Sequence, residues 1–305
     1  MKKIPLVVLM GPTASGKTAM AVEICKKYDG EVVTADSMQV YKFMDIGTAK
    51  PTVDEMQGIK HHMIDLVEPT ENYSLADYVK EAKAVIEDIH SRGKLPVLAG
   101  GTGLYIDTLT QNVELSDGDK DDALRAELTE LAEKEGEDRL FEILREVDPK
   151  SCETIHKNNI KRVIRAIEFF KTTGIRQSEH IKNTVRNSPF DMTKICLSWD
   201  RDVLYDRINR RVDMMFDMGL ADEVEKVRNM GVNMSNTSMQ GIGYKEVFPY
   251  LDKKVSLEET KDIIKQGTRR YAKRQITWFK REENTSFVPA EFNVINKILK
   301  ENCYE

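Results

Sequence analysis

Eight residues near the amino terminus, Gly11-Pro12-Thr13-Ala14-Ser15-Gly16-Lys17-Thr18, have the types and spacing needed to hold phosphate. In a G-x-x-x-x-G-K-T segment the two glycines let backbone N–H groups turn inward around anionic oxygens. Lys17 would bring a full positive charge to the terminal phosphate, and the Thr18 hydroxyl would help hold Mg²⁺. Asp36, in Asp36-Ser37-Met38-Gln39, offers a carboxylate for proton transfer, or else caps a turn, a role aspartate also favours. Arg207 and Arg211, four apart, could clamp a diphosphate, because guanidinium forks match phosphate oxygens. Gly100-Gly101-Thr102-Gly103-Leu104-Tyr105 either admits a ligand to the backbone, with the Thr102 hydroxyl beside it, or is only a tight strand-to-helix turn.

These groups need elements to position them. The apolar run 4–10 reads as a buried parallel strand, and Met20, Ile24 and Tyr28 recur beyond the glycines at helical spacing. The phosphate segment therefore lies between a strand and a helix, whose N-terminus adds partial positive charge. Residues 30–35 read as a second strand. Asp36 follows its carboxyl end, where an open α/β sheet forms its ligand crevice. Ser74 to Asp77 is an acidic capping box opening a helix with the stripe Leu75, Val79, Ala82, Ile86 and Ile89, ended by Gly93. A strand at 95–99 leads into Gly100.

Between about 113 and 194 strand signals give way to helical periodicity, with Leu124, Leu128 and Leu131, then Leu140, Phe141 and Leu144, then Ile160, Val163, Ile164, Ile167 and Phe170. Alternation returns at 193–199, and the last hundred residues read as mainly helical. One stripe is Leu204, Ile208, Val212 and Met215. A capping box at Ser256 opens a long helix on which Tyr271, Gln275 and Trp278 share a face. Gln240-Gly241-Ile242-Gly243-Tyr244-Lys245 reads as a flexible loop carrying an aromatic and a base. The expected organisation is an α/β core of 1–112 and 195–305, ending in helices, with a helical insertion domain of 113–194.

In 305 residues the net charge is −5, and no apolar run approaches membrane-spanning length. The distribution of charge says more than its sum. Glu114 to Asp148 holds fourteen acids against five bases, whereas Lys157 to Asn187 holds eight bases against two acids. Lys261 to Arg281 holds eight bases, with Asp262 the lone acid. Two basic stretches suit contact with a phosphate backbone, and equally describe solvated helix faces. Cys25, Cys152, Cys196 and Cys303 are scattered, which predicts free thiols in a reducing cytosol rather than disulfides or zinc. His61 and His62 are adjacent and point apart on any regular element, so a hydrogen-bonding role is expected over a metal site.

The phosphate segment, Asp36-Ser37-Met38-Gln39-Val40-Tyr41, Gly47-Thr48-Ala49-Lys50-Pro51, His61-His62, Gly100 to Tyr105 and Arg270-Tyr271-Ala272-Lys273-Arg274-Gln275 together resemble the bacterial tRNA dimethylallyltransferase (tRNA isopentenyl transferase) family. The similarity runs from residue 6 to about 282. It implies a P-loop, nucleotide-kinase-like parallel sheet and transfer of a dimethylallyl group from dimethylallyl diphosphate to an adenosine amine just 3′ of the anticodon. Mg²⁺ would be the cofactor, tRNA the macromolecular partner, and a cytoplasmic monomer without membrane association is expected. The resemblance makes Asp36 the proton acceptor and Thr102 a contact at the reacting centre, with Lys17, Arg207 and Arg211 on the diphosphate. The positions matching the family's tRNA contacts are Asp36, Ser37, Met38, Gln39, Thr102, Arg125, Lys161, Arg162, Val163, Ile164, Arg165, Gln240, Gly241, Ile242, Gly243, Tyr244 and Lys245. Ala14 departs from the glycine many phosphate loops carry. A prenyltransferase acting on free AMP, ADP or ATP, a nucleoside or nucleotide kinase, and a P-loop switch protein remain alternatives.

Overall fold

A computed structural model describes residues 3–112, 121–183, 187–302 and 304. The acidic residues of 113–120, Arg186 and Cys303 lie outside them. Among the described residues the strands are β1 (Ile4–Met10), β2 (Gly30–Ala35), β3 (His61–His62), β4 (Leu95–Gly100), β5 (Phe190–Leu197) and β6 (Thr285–Val288). They pair in the order β3-β2-β4-β1-β5-β6, every pair parallel. Strands buried on both faces read as continuous apolar runs, and Leu6 to Met10 are wholly buried.

Helices α1 (Lys17–Lys27), α2 (Val53–Met56), α3 (Leu75–Ser91) and α4 (Gly103–Thr110) alternate with the first four strands. After β5 come α9 (Arg201–Asp217), α10 (Leu220–Asn229), α11 (Phe248–Leu251), α12 (Leu257–Phe279) and α13 (Phe292–Glu301). Both capping boxes form: Ser74 with Asp77 opens α3, and Ser256 with Glu259 opens α12. Two cores sandwich the sheet. One includes Leu6, Val8, Tyr78, Ile86 and Ile106, the other Val7, Leu9, Ile24, Val97 and Ile295.

The chain divides into two compact units, Met1–Gln111 with Ser188–Glu305, and Asn112–Asn187. The second contains α5 (Asp122–Glu135), α6 (Glu137–Val147), α7 (Ile160–Thr173) and α8 (Gln177–Asn183) around Leu128, Leu140, Leu144, Val163 and Ile167. It ends seven residues short of the expected 194 because β5 starts early. Phe190 is buried and pairs with Ile4, so the strand expected at 193–199 runs Phe190–Leu197. Trp199 has already left the sheet. The closing segment is also less helical than its pattern suggests, since Thr285–Val288 adds the edge strand β6 beside β5.

Candidate active site at the carboxyl ends of the strands

The phosphate loop joins β1 to α1 with Gly16 at the helix N-cap in the left-handed region, φ 90°. Ala14 is also left-handed, φ 62°, a conformation that costs an alanine about 1 kcal/mol. Its backbone is braced from outside: Arg207 Nε donates to the Ala14 carbonyl at 2.8 Å, and Trp199 Nε1 donates to the Ser15 carbonyl at 3.0 Å. The Arg207 guanidinium stacks over the Trp199 ring, 4.5 Å from its centroid. Inside the loop the buried Ser15 hydroxyl has no hydrogen-bond partner, as a cradle for an anion would leave it. Lys17 Nζ donates to the carbonyls of Gly11 and Pro12 at 3.0 and 2.7 Å. Burial, then the neighbouring charge of Arg211, holds its ammonium down at about 8.

Asp36 sits just past β2. Its Oδ1 accepts from the Met38 N–H at 2.9 Å and more weakly from the Gln39 N–H at 3.4 Å. Burial raises its carboxyl above the usual carboxylate range, outweighing the Met38 hydrogen bond and the charges of Lys17 and Arg211. Asp36 lines two cavities. The smaller contains Lys17, Thr18, Thr34, Gln39 and His61; the larger, about 260 Å³, contains Thr13, Arg211, Tyr271 and Arg274 beside an apolar wall of Ile208, Val212, Met215, Ile242 and Ile264. Arg211 therefore reaches the cleft, while Arg207 serves the outer side of the loop.

Thr102 is the N-cap of α4 and its hydroxyl accepts from the Ser37 N–H at 3.2 Å, tying the glycine turn to the Asp36 segment. Gly103 is glycine for a spatial reason, since a Cβ there would collide with the Trp278 indole. Sequence reasoning assigned no role to Gln275, which bridges two loops: its Nε2 donates to the Gly101 carbonyl at 2.8 Å, and its Oε1 accepts from the Thr13 N–H at 2.9 Å. Tyr271, one turn earlier, lines the cleft, and burial pushes its hydroxyl up to about 12. Their helical spacing with Trp278 was the available signal. Nothing local marked their partners.

Several expected contact residues also hold structure. Gln39 Nε2 donates to the carbonyls of Thr48 and Ala49 at 3.1 and 3.2 Å. The 240–245 segment is anchored rather than free: Gly241, Gly243 and Tyr244 are buried, and the Tyr244 hydroxyl donates to Glu223 at 2.7 Å. Gln240, Gly241, Ile242 and Tyr244 line the larger cleft, whereas Lys245 is exposed. In the helical unit, the Val163 and Ile164 side chains pack its core. Lys161 and Arg162 are exposed on α7. Arg125 and Arg165 are half-exposed and converge on the buried Glu168 carboxylate at 2.8 Å each. The hydrogen-bonding role expected of the two histidines is present: His61 Nδ1 donates to the Ile59 carbonyl at 3.0 Å, and His62 Nε2 pairs with Glu31 at 2.7 Å. Among the described residues no cluster of three His, Cys, Asp or Glu could hold a metal ion, Cys25, Cys152 and Cys196 are free, and no helix is long and apolar enough to cross a membrane.

The profile of the IPP transferase family matches residues 39–282. A tRNA dimethylallyltransferase of Caldanaerobacter subterraneus is 48% identical over 305 residues, covering 99% of this chain and 97% of the relative. One of Acetivibrio thermocellus is 49% identical, covering 98% and 96%. The crystal structure of a full-length tRNA isopentenylpyrophosphate transferase of Bacillus halodurans is 44% identical, with 98% of each chain covered and a TM-score of 0.73. A eukaryotic dimethylallyltransferase captured acting on tRNA is 29% identical, with a TM-score of 0.84 over 98% of this chain and 77% of that one.

Proposed function

This chain belongs to the IPP transferase family, and we propose that it is a tRNA dimethylallyltransferase that moves the dimethylallyl group of dimethylallyl diphosphate onto the N6 amine of the adenosine 3′-adjacent to the anticodon. The observation that carries this reading is the position of Asp36, a carboxylate lining both the cavity beside the phosphate loop and the half-apolar cleft. An adenine amine is a weak nucleophile because its lone pair is delocalised into the ring, so the diphosphate must be made a good leaving group. A C–N bond forms at the allylic carbon as its C–O bond breaks. The diphosphate keeps the electron pair, and the amine proton passes to Asp36.

The loop N–H groups, Ser15, Lys17 and Arg211 stabilise the departing charge; each such donor is typically worth about 10²–10³ in rate. Arg207 contributes by holding the loop through Ala14. A divalent cation, which we take to be Mg²⁺, would neutralise further charge on the diphosphate. Thr18 is its candidate ligand. Mg²⁺ usually keeps several waters and takes substrate phosphates as ligands, so few protein groups are needed to hold it. Ile208, Val212 and Ile264 suit the isoprenoid tail, while Met38, Gly47 to Ala49 and Ile242 suit a flipped base, which leaves its stack most cheaply where it is unpaired. Lys161, Arg162, Arg165 and Arg125 on the helical unit are proposed to meet the RNA backbone.

Labelled dimethylallyl diphosphate with Mg²⁺ and either an anticodon stem-loop or AMP decides the acceptor. Label in the RNA is the expected result, and label in AMP alone would replace the reading with that of a free-nucleotide prenyltransferase. RNA affinity should fall steeply with salt; a flat response would remove the basic helix face from the interface.

A further inference from the structure

One carboxylate outside the reacting centre ties together two segments of the cleft wall. Glu223 lies in the first turn of α10 and does not line either cavity. Its Oε2 accepts from the Asp45 and Ile46 N–H groups at 2.9 and 2.8 Å, and its Oε1 accepts from the Gly47 N–H at 3.0 Å and the Tyr244 hydroxyl at 2.7 Å. Four donors from two distant segments thus converge on one side chain. A carboxylate is acceptor-only and can satisfy such a set; an amide cannot, because half of it donates.

Both segments border the larger cleft, the first through Gly47, Thr48 and Ala49, the second through Gln240 to Ile242 with Tyr244. Their contact is close. A Cβ on Gly47 would fall 2.5 Å from the Tyr244 ring, so the loop backbone rests directly on the aromatic face. Gln39 holds the same loop from its other end through the Thr48 and Ala49 carbonyls. Tyr244 keeps its proton, since burial and then the Glu223 charge push its hydroxyl well above the ordinary value.

We propose that Glu223 is a positioning residue for the acceptor base: by clamping Asp45 to Gly47 against Tyr244 it sets the width of the cleft between Gly47–Ala49 and Gln240–Ile242, and thereby admits a flat base of one thickness. The inference rests on the reading of this cleft as the acceptor site. The test compares full-length wild type with Glu223→Gln, Glu223→Asp and Tyr244→Phe in the stem-loop assay, with amide hydrogen exchange read in parallel. Glu223→Gln should raise the KM for RNA about tenfold, the scale of one lost charge-assisted hydrogen bond, and leave the KM for dimethylallyl diphosphate within about twofold. The Asp45, Ile46 and Gly47 amides should exchange faster in that variant. Glu223→Asp should recover part of the RNA KM, and Tyr244→Phe should raise it about threefold, which keeps the test open if Glu223→Gln does not fold. An unchanged RNA KM with only a lowered melting temperature would overturn the proposal, as would equal losses for both substrates. Failure of wild type to label RNA would instead sink the functional reading, while the exchange data would still report whether Glu223 clamps the loop.

Discussion

Strand β2 carries a carboxylate near each end, and the two are treated in opposite ways. Glu31, at the amino end, accepts from both terminal guanidinium nitrogens of Arg92 at 2.6 and 2.7 Å and pairs with His62 Nε2 at 2.7 Å. These partners, Arg92 foremost, lower its carboxyl to about 2. Asp36, past the carboxyl end, has two backbone N–H donors and, among the described residues, no ion pair, and burial raises it. The sheet thus places its bidentate arginine at the amino end of β2, away from the phosphate loop. At the other end it keeps charge under-compensated, where a proton can be taken up and a ligand can supply the missing partner.

Replacing the two carboxylates separately should break the contrast most clearly. Asp36→Asn should lower the single-turnover transfer rate at least about 100-fold without lowering the melting temperature, because an unpaired buried charge is removed. Near-normal turnover would end its role in proton transfer. Glu31→Gln should do the reverse, lowering unfolding stability by about 1–3 kcal/mol in chemical denaturation while turnover stays the same. With a folded value near 2 against an ordinary 4.5, the Glu31 contribution is complete above about pH 4.5 and disappears as the pH falls toward 2. The wild-type stability gap over the variant should therefore close on acidification.

Lys17 extends the contrast to a base. Its ammonium is held at about 8 against an ordinary 10.5, so affinity for a diphosphate, which needs the charged form, should weaken about tenfold per unit as the pH rises beyond 8. Titrations between pH 7 and 9 would measure it, and a flat profile would mean that the loop amides and Arg211 hold the ligand without Lys17. The smallest effect is expected at Asp107 on α4. Burial, then the charge of Glu282, raises its carboxyl to about 6, and it accepts from Trp278 Nε1 at 2.7 Å, with Glu282 in turn paired to Lys194 at 2.7 Å. Its folded value exceeds the ordinary 3.8, so the folded state retains the extra proton, and the group's contribution to stability is complete below about pH 4 and is lost as the pH rises through 6. Asp107→Asn should flatten that part of the melting-temperature profile by a degree or two (roughly).

Some of this was readable along the chain. The phosphate loop, β1, β2, β4 and both capping boxes depend on residues within a few positions of one another, so type and spacing sufficed. Asp36 was placed correctly by one rule, that residues beyond a parallel strand's carboxyl end face the crevice. Strand β6 was missed because four residues at a sheet edge, half-exposed at Thr285 and Ser286, carry no buried alternation. The 240–245 segment looked free because its glycines signal turns, while the partner of Tyr244 lies 21 residues upstream. Val163 and Ile164 were grouped with their basic neighbours although the apolar periodicity of α7 already assigned them to a core.

Local order along the chain was enough for the chemistry available to this protein: a cradle for phosphate, a carboxylate after a strand, arginines on one helix face. The division of labour among those groups came only with the fold. Gln275 meets Thr13 across 262 residues, Glu223 meets Gly47 across 176, and Arg207 turns to the loop while Arg211 turns to the cleft. A hydrogen bond acts over about 3 Å, so which distant donors reach a given oxygen depends on packing, and packing is a property of the whole chain.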